Sequence, residues 1–185
     1  MNKDCFVNYP LISVSMCTYN GSLYIENQLI SIFNQTYPNI EIIIVDDCST
    51  DNTIDIIKGL IENRDVPVFL YQNETNIGYN KNFEKAVSLC AGKYIATADQ
   101  DDIWHLDKLQ KLYTALEQNS NAVLAYCNSR FVDSKGDFLG QLMSDIIKMP
   151  SGDNLIEFFL NARIAGHAML FDRVITENLP VLDDN

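Results

Sequence analysis

The 185-residue sequence predicts one α/β domain built on a mainly parallel sheet flanked by helices. Three observations predict it. Short apolar runs rich in β-branched residues alternate with segments whose apolar residues recur at helical spacing. The helical segments are about ten residues long, the length that carries a chain from one parallel strand to the next. Clusters of polar and acidic residues follow directly on the apolar runs, where such sheets bind their ligands.

The elements follow in order. Residues 11–16 form a first strand. Ile25, Leu29, Ile32 and Phe33 mark a helix, closed by Pro38. Residues 41–45 form a second strand, and the cap-forming side chains of 49–52 lead into a helix marked by Ile54, Ile57, Leu60 and Ile61. Residues 66–71 read as a third strand. Phe83, Ala86, Val87 and Cys90 sit at i, i+3, i+4 and i+7, an amphipathic helix ended by Gly92. Residues 94–98 are a fourth strand, Leu106, Leu109, Leu112, Tyr113 and Leu116 mark a fourth helix, and 122–127 are a fifth strand. After Asn128 the rhythm breaks. Residues 131–142 fit short strands, 154–160 a helix, and 168–171 a buried strand.

Composition narrows the function. Hydrophobic residues make up 47% and charged residues 21%, which excludes disordered, collagen-like and coiled-coil chains. No apolar run approaches the ~18 residues of a membrane span. Thirteen Lys and Arg against 25 Asp and Glu give a net charge of −12, so no nucleic-acid partner is expected. The five cysteines are widely spaced, odd in number and without a CxxC pair, which argues against a disulfide framework or a zinc site. The opening MNKDCFVNYP lacks the apolar core of a secretory signal. A reducing, cytoplasmic setting is therefore expected.

The first strand ends in Cys17-Thr18-Tyr19-Asn20-Gly21 and the second in Asp46-Asp47. The third is followed by residues 76–82, and the fourth ends in Asp99-Gln100-Asp101-Asp102. All four ends share one edge of the sheet. Three carboxylates in four residues repel: at ~4 Å and an effective dielectric near 20, each pair costs about 4 kcal/mol. Solvent or a cation must relieve that. Extended residues two apart face the same way, about 7 Å apart. Asp99 and Asp101 thus address one ligand, one through a metal and the other through a hydroxyl. Oxygen-only ligands suit Mg²⁺ or Mn²⁺. The plain alternative is a solvated acidic turn capping the next helix.

Asp46 is placed to accept from a base N–H with Tyr19 stacked on the base; the alternative makes Asp47 and Asp51 helix caps. Of these readings, the base contact goes to Asp46 and the cap to Asp51. Lys81 starts a helix where main-chain N–H groups also suit an anion, and Gly78 and Gly21 allow close backbone approach. His105 is expected in solvent. His167 is read as a satisfied structural histidine, with lining of the site as the alternative.

The strings LISVSMCTYNG, EIIIVDDCSTDNT, NIGYNKNFEKAVSLCAGKYIATADQDDIW and GHAMLF, in this order over about residues 11–171, resemble the family 2 glycosyltransferases of the GT-A fold. DQDDIW looks most like the bacterial, rhamnosyltransferase-like branch that builds surface polysaccharides. The resemblance implies metal-dependent, inverting transfer of a hexosyl or deoxyhexosyl group from a nucleotide-diphosphate donor to a saccharide or lipid-linked acceptor. A lipid-linked acceptor would bring the chain to the inner face of a membrane. By position, Cys17 and Tyr19, with Asn20 beside them, match the residues at the nucleotide. Asp46 matches the base contact, Asp99 lies near the ribose, and Asp101 is on the metal with Asp102 beside it. Gly78 and Lys81 fall in a segment that touches the nucleotide. Cys17 stands where Pro or Thr is commoner.

The family's catalytic base is an Asp in a later helix. The base is therefore expected beyond Asn185, with Asp183 and Asp184 the candidates within the chain. The resemblance thus divides residues 1–185 into a nucleotide-binding half, 11–128, and the start of an acceptor-side half, 129–185, in a chain expected to be C-terminally incomplete. A non-catalytic sugar-nucleotide binder is the alternative. A Mg-binding receiver domain would want a Lys at the end of the fifth strand, where Cys127-Asn128 stand.

Overall fold

A computed structural model of the chain describes residues 9–133, 135–149, 152 and 166–178. The chain runs β1 (Ile12–Thr18), α1 (Ile25–Phe33), β2 (Ile40–Asp46), α2 (Thr53–Ile61), β3 (Val68–Gln72), α3 (Tyr79–Ser88), β4 (Tyr94–Ala98), α4 (Lys108–Glu117), β5 (Leu124–Tyr126), β6 (Arg130–Val132), β7 (Phe138–Leu142) and β8 (Met169–Asp172). Six strands form one sheet in the order β3-β2-β1-β4-β8-β5, and β6 and β7 form a separate hairpin. Strands β1 to β4 are parallel, while β8 runs antiparallel between β4 and β5.

Every residue of β1 and β2 is buried, so these strands are covered on both faces. The alternation along β2 divides the core. Ile42 and Ile44 join Ile25, Leu29 and Ile32 of α1, Ile57 of α2, and Leu109, Leu112 and Leu116 of α4. Ile43 and Val45 face the other way, with Ala86 of α3 and Cys90. Each such aliphatic side chain contributes about 1.5–3 kcal/mol when fully buried.

Some boundaries differ from the sequence expectation. Strands β1 and β2 extend through Thr18 and Asp46, which pair in register, so Cys17 and Asp46 are strand residues. The fifth strand shrinks to an edge of three residues. Residues 131–142 resolve into the β6–β7 hairpin. The helix expected over 154–160 and the base candidates Asp183 and Asp184 lie outside the described residues.

The N-terminal edge of the sheet is closed by a buried polar knot. Glu41 Oε1 accepts from the Ser13 hydroxyl at 2.5 Å and from the Ala91 N–H at 2.9 Å, and Ser13 Oγ accepts the Gly92 N–H at 2.8 Å. Here Gly92 is a steric requirement: a Cβ would stand 2.7 Å from both Leu11 O and Ser13 N.

The function-bearing edge is the opposite one. The chain passes outward from β1 through β2 to β3, then returns so that β4 lies on the other side of β1. The connections after β1 and β4 diverge, leaving a crevice at their carboxyl ends.

Gly92→Ala is expected to lower stability by about 1–3 kcal/mol, because the methyl group meets backbone atoms rather than a movable side chain. Urea unfolding measures this, and an unchanged midpoint would show that the two strands separate freely there.

Candidate functional site

A cavity of about 510 Å³ opens at this crevice. Cys17 and Thr18 line it from the end of β1 and Tyr19 from just after it, Asp47 from just after β2, Asn76, Gly78, Tyr79 and Asn82 from the approach to α3 and its start, and residues 99–101 from just after β4. Of the predicted nucleotide residues, Cys17, Tyr19, Gly78 and Asp99 thus meet there. Asp46, Asn20 and Lys81 do not line it.

Asp46 is fully buried. Its Oδ1 accepts from the Thr18 and Ser49 hydroxyls at 2.8 and 2.5 Å, and its Oδ2 from the Ser49 N–H at 2.8 Å. Its neighbour Asp47 faces the cavity. Asp47 Oδ1 accepts from the Asn73 amide and the Ile77 N–H, both at 2.8 Å, and Oδ2 accepts from the Gly78 N–H at 2.9 Å. These bonds fix the loop before α3, where Gly78 takes φ 85°. Asp51 behaves as read: its Oδ1 accepts the Thr53 N–H at 3.0 Å at the start of α2. Asn20, at φ 49°, pins a turn: its N–H donates to Ser49 Oγ and its Oδ1 accepts the Thr50 N–H, each at 2.9 Å. Lys81 stands on the exposed side of α3.

Gln100, which the sequence does not single out, joins the two sides of the crevice. Its Oε1 accepts the Tyr19 N–H at 2.9 Å and its Nε2 donates to the Tyr19 carbonyl at 3.1 Å. The Tyr19 ring is left about half exposed beside the cavity.

The acidic segment does not act as one unit. Asp101 is exposed at the rim. Asp99, Asp102 and His167 instead converge, with one ligand atom from each lying within 4.8 Å of the others. His167 Nδ1 is 3.3 Å from Asp99 Oδ2 and 3.5 Å from Asp102 Oδ2. The predicted metal pair Asp101 and Asp102 is therefore split, and His167 takes a place in the site rather than in the bare core. Two contacts hold the backbone that carries it: the Thr97 hydroxyl donates to the Gly166 carbonyl, and Lys108 Nζ donates to the His167 carbonyl at 2.5 Å. Lys108 also sits 3.7 Å from the centre of the Trp104 ring. His105, as expected, is exposed and lies 2.6 Å from Asp107.

These residues fit a divalent cation. Asp102 Oδ2 is buried with no hydrogen-bond partner, an arrangement that costs energy unless a cation or proton satisfies it. Burial raises the Asp102 pKa, with the charge of Asp99 adding to the rise and that of His167 opposing it. The hydrogen bond to Asp99 raises that of His167. Tyr79 is pushed up to about 12 by burial and by Asp99. Burial brings Lys108 down to about 8, with Cys127, Asp102 and Asp99 opposing that fall. Burial, then Asp99 and Asp47, raise the Cys17 thiol well above its ordinary value. Cys17 is thus a neutral wall and not a nucleophile.

The fold and site define an α/β domain with an acidic crevice at the carboxyl ends of its parallel strands. Residues 13–179 match the sequence family described as Glycosyl transferase family 2, and the chain belongs to that family. An uncharacterized glycosyltransferase of Haemophilus influenzae is 39% identical over 135 residues, covering 71% of this chain and 52% of that protein. Chondroitin synthase of Escherichia coli is 32% identical over 130 residues, covering 70% of this chain and 19% of that protein. The S. aureus TarS 1-349 structure in complex with UDP-GlcNAc superposes with a TM-score of 0.74 at 23% identity, covering 90% of this chain and 46% of that one. Mannosyltransferase PcManGT from Pyrobaculum calidifontis, in complex with GDP-Man and Mn²⁺, gives a TM-score of 0.68 at 21% identity, covering 92% of this chain and 47% of that one. These likenesses establish the GT-A fold. The chain spans about half or less of each of these proteins. Among the described residues, no helix is long and apolar enough to cross a membrane.

The His167 shift carries a sign. Its folded pKa lies above the ordinary value of 6.5, so the charged ring stabilises the fold fully below that value. The contribution is lost as pH rises through the raised folded pKa. His167→Gln should therefore cost more stability at pH 6 than at pH 9 in metal-free protein. Urea unfolding at both pH values tests this; equal costs would mean that the ring is not charged against Asp99.

Proposed function

We propose that this chain carries the donor-binding part of an inverting, metal-dependent glycosyltransferase. It moves a hexosyl or deoxyhexosyl group from a nucleotide-diphosphate sugar to a saccharide or lipid-linked acceptor in bacterial surface polysaccharide synthesis, as in the rhamnosyltransferase-like branch. The observation that carries this reading is the buried Asp102 Oδ2, which has no hydrogen bond, beside Asp99 and His167, where Asp99 lines a cavity walled by an aromatic ring and amides. UDP-GlcNAc in the TarS structure, and GDP-Man with Mn²⁺ in PcManGT, support it by analogy of fold.

In this reading residues 11–128 hold the nucleotide. Tyr19 stacks on the base above the neutral Cys17 wall, and Asp47 and Asn76 supply the polar contacts to it. Asp46 and Asn20 act one step back, holding the loops that place Tyr19. Lys81 stands outside the cavity wall, on the exposed side of α3. Asp99 and Asp101 face the ribose and diphosphate. Asp99, Asp102 and His167 would hold the cation, and an imidazole in the set favours Mn²⁺ over Mg²⁺. Once bound, the cation would supply charge neutralisation for the departing diphosphate, which the acidic cavity would otherwise repel.

The acceptor hydroxyl attacks the anomeric carbon opposite the diphosphate, its proton passes to a carboxylate base, and the bond from the anomeric carbon to the phosphate oxygen breaks with inversion. The base lies outside the described residues and would supply about 10²–10⁴-fold.

Calorimetry with UDP, with and without Mn²⁺, tests this. Asp102→Asn and Asp99→Asn are each expected to weaken Mn²⁺-dependent UDP binding about 10-fold or more. Tyr19→Ala should weaken it with or without the ion by ~1–3 kcal/mol, the range for base stacking on an aromatic ring. Full affinity in both Asn variants would overturn the metal site, and full affinity in Tyr19→Ala would overturn the base site.

A further inference from the structure

Lys85 of α3 does not line the cavity, yet it reaches the cavity wall through a chain of buried side chains. Its Nζ donates to Asn73 Oδ1 at 2.7 Å. Asn73 Nδ2 donates in turn to Asp47 Oδ1 and to Asn82 Oδ1, both at 2.8 Å. Asn82 Nδ2 donates to the Val45 carbonyl at 2.9 Å. Asn73 and Asn82 are both buried, and Asp47 and Asn82 both line the cavity.

This chain has a direction, and Lys85 sets one end of it. An ammonium has donors only, so the Asn73 atom that faces it is the oxygen. Both hydrogens of the Asn73 amide then point the other way, one at Asp47 and one at Asn82. A carboxylate accepts only, so Asp47 asks for the same orientation from the far end. Asn73 is thus held between a group that must donate and a group that must accept. Turning the amide over would set its oxygen against two acceptors and its NH₂ against the ammonium. Three contacts would fail together among buried groups, where an unmade hydrogen bond is expensive.

What the chain fixes is the cavity wall. The backbone of Asn73 is tied to the sheet, since its N–H donates to the Asp46 carbonyl at 2.9 Å. Asp47 holds the loop before α3 by accepting the Ile77 and Gly78 N–H groups. The Gly78 carbonyl accepts the Asn82 N–H at 3.0 Å, which closes a ring from Asp47 through the loop and Asn82 back to Asn73. Lys85 is the member of the network that carries a positive charge, and it stands half-buried on the side away from the cavity.

We infer that Lys85 is a positioning residue of the donor site: acting through Asn73, it orients the Asp47 carboxylate and holds the loop of residues 76–78 that walls the cavity. The inference deepens the donor reading above and rests on it, because that reading makes Asp47 a polar contact to the nucleotide.

Three substitutions separate this role from packing. Lys85→Arg keeps a side chain with donors only, Lys85→Met keeps the length without the donors, and Lys85→Glu sets an acceptor against the Asn73 oxygen. Amide hydrogen exchange of the ligand-free full chain, read by NMR, follows the Ile77 and Gly78 N–H groups that Asp47 holds. Exchange there is expected to be about 10-fold faster in Lys85→Glu, less accelerated in Lys85→Met, and within about 2-fold of the parent in Lys85→Arg. Calorimetry with UDP should give the same order, with affinity about 10-fold lower in Lys85→Glu. That loss should vanish in an Asn73→Ala background, where the relay is already cut. A packing role would make the Met and Glu variants alike and would leave the Glu effect intact without Asn73. Either of those outcomes overturns the inference. Failure of the parent to bind UDP overturns the donor reading and this inference with it, whereas UDP binding that no Lys85 variant alters overturns this inference alone.

Discussion

The register of β1 between β2 and β4 sets what every other part of the site can do. Met16 pairs with Ala98 on one side and Thr18 with Asp46 on the other, so β1 and β2 finish at the same height and β4 stops two residues short of them. Because side chains alternate along a strand, a slip of one residue would exchange the sets that face the two sides of the sheet. The register is held from the far edge by the Ser13–Glu41–Gly92 knot and at the near edge by the Thr18–Asp46 bond. Burial on both faces makes any other register expensive.

On this frame the site gathers charges that could not stand together in isolation. Asp99, Asp102 and His167 share a half-buried volume, and each shifts the protonation of another. Lys108 supplies a fourth charge from beneath, and its burial works against its own ionisation. A cluster so balanced is a poor structural element and a good receptor, since one added divalent ion satisfies several groups together. The Cys17 thiol beside it stays protonated, so the reactivity of the crevice rests with what it binds.

Much of this was legible in the sequence, and the remainder was hidden for physical reasons. The helical periods and the apolar runs are local, and the fourth strand coincides with its predicted bounds. The acidic segment after β4 was legible because the repulsion within it demands a reason. Which of two consecutive aspartates faces the cavity was not, since that depends on where β2 ends: the strand includes Asp46 and leaves Asp47 to the loop. Between the two readings of His167 the sequence could not choose, because β8 inserts antiparallel beside β4, a pairing across about 75 residues that no local pattern encodes. Lys81 looked useful from its place at a helix start, but the helix turns it outward.

The double clasp of Gln100 on the backbone of Tyr19 has a thermodynamic meaning. A side-chain amide there imitates one more rung of strand pairing beyond the ends of β1 and β4, and the Asn20–Ser49–Thr50 turn braces the loop from the other side. The aromatic shelf is therefore braced on both sides before any ligand enters the crevice. On the donor reading proposed above, little ordering entropy then remains to be lost on association.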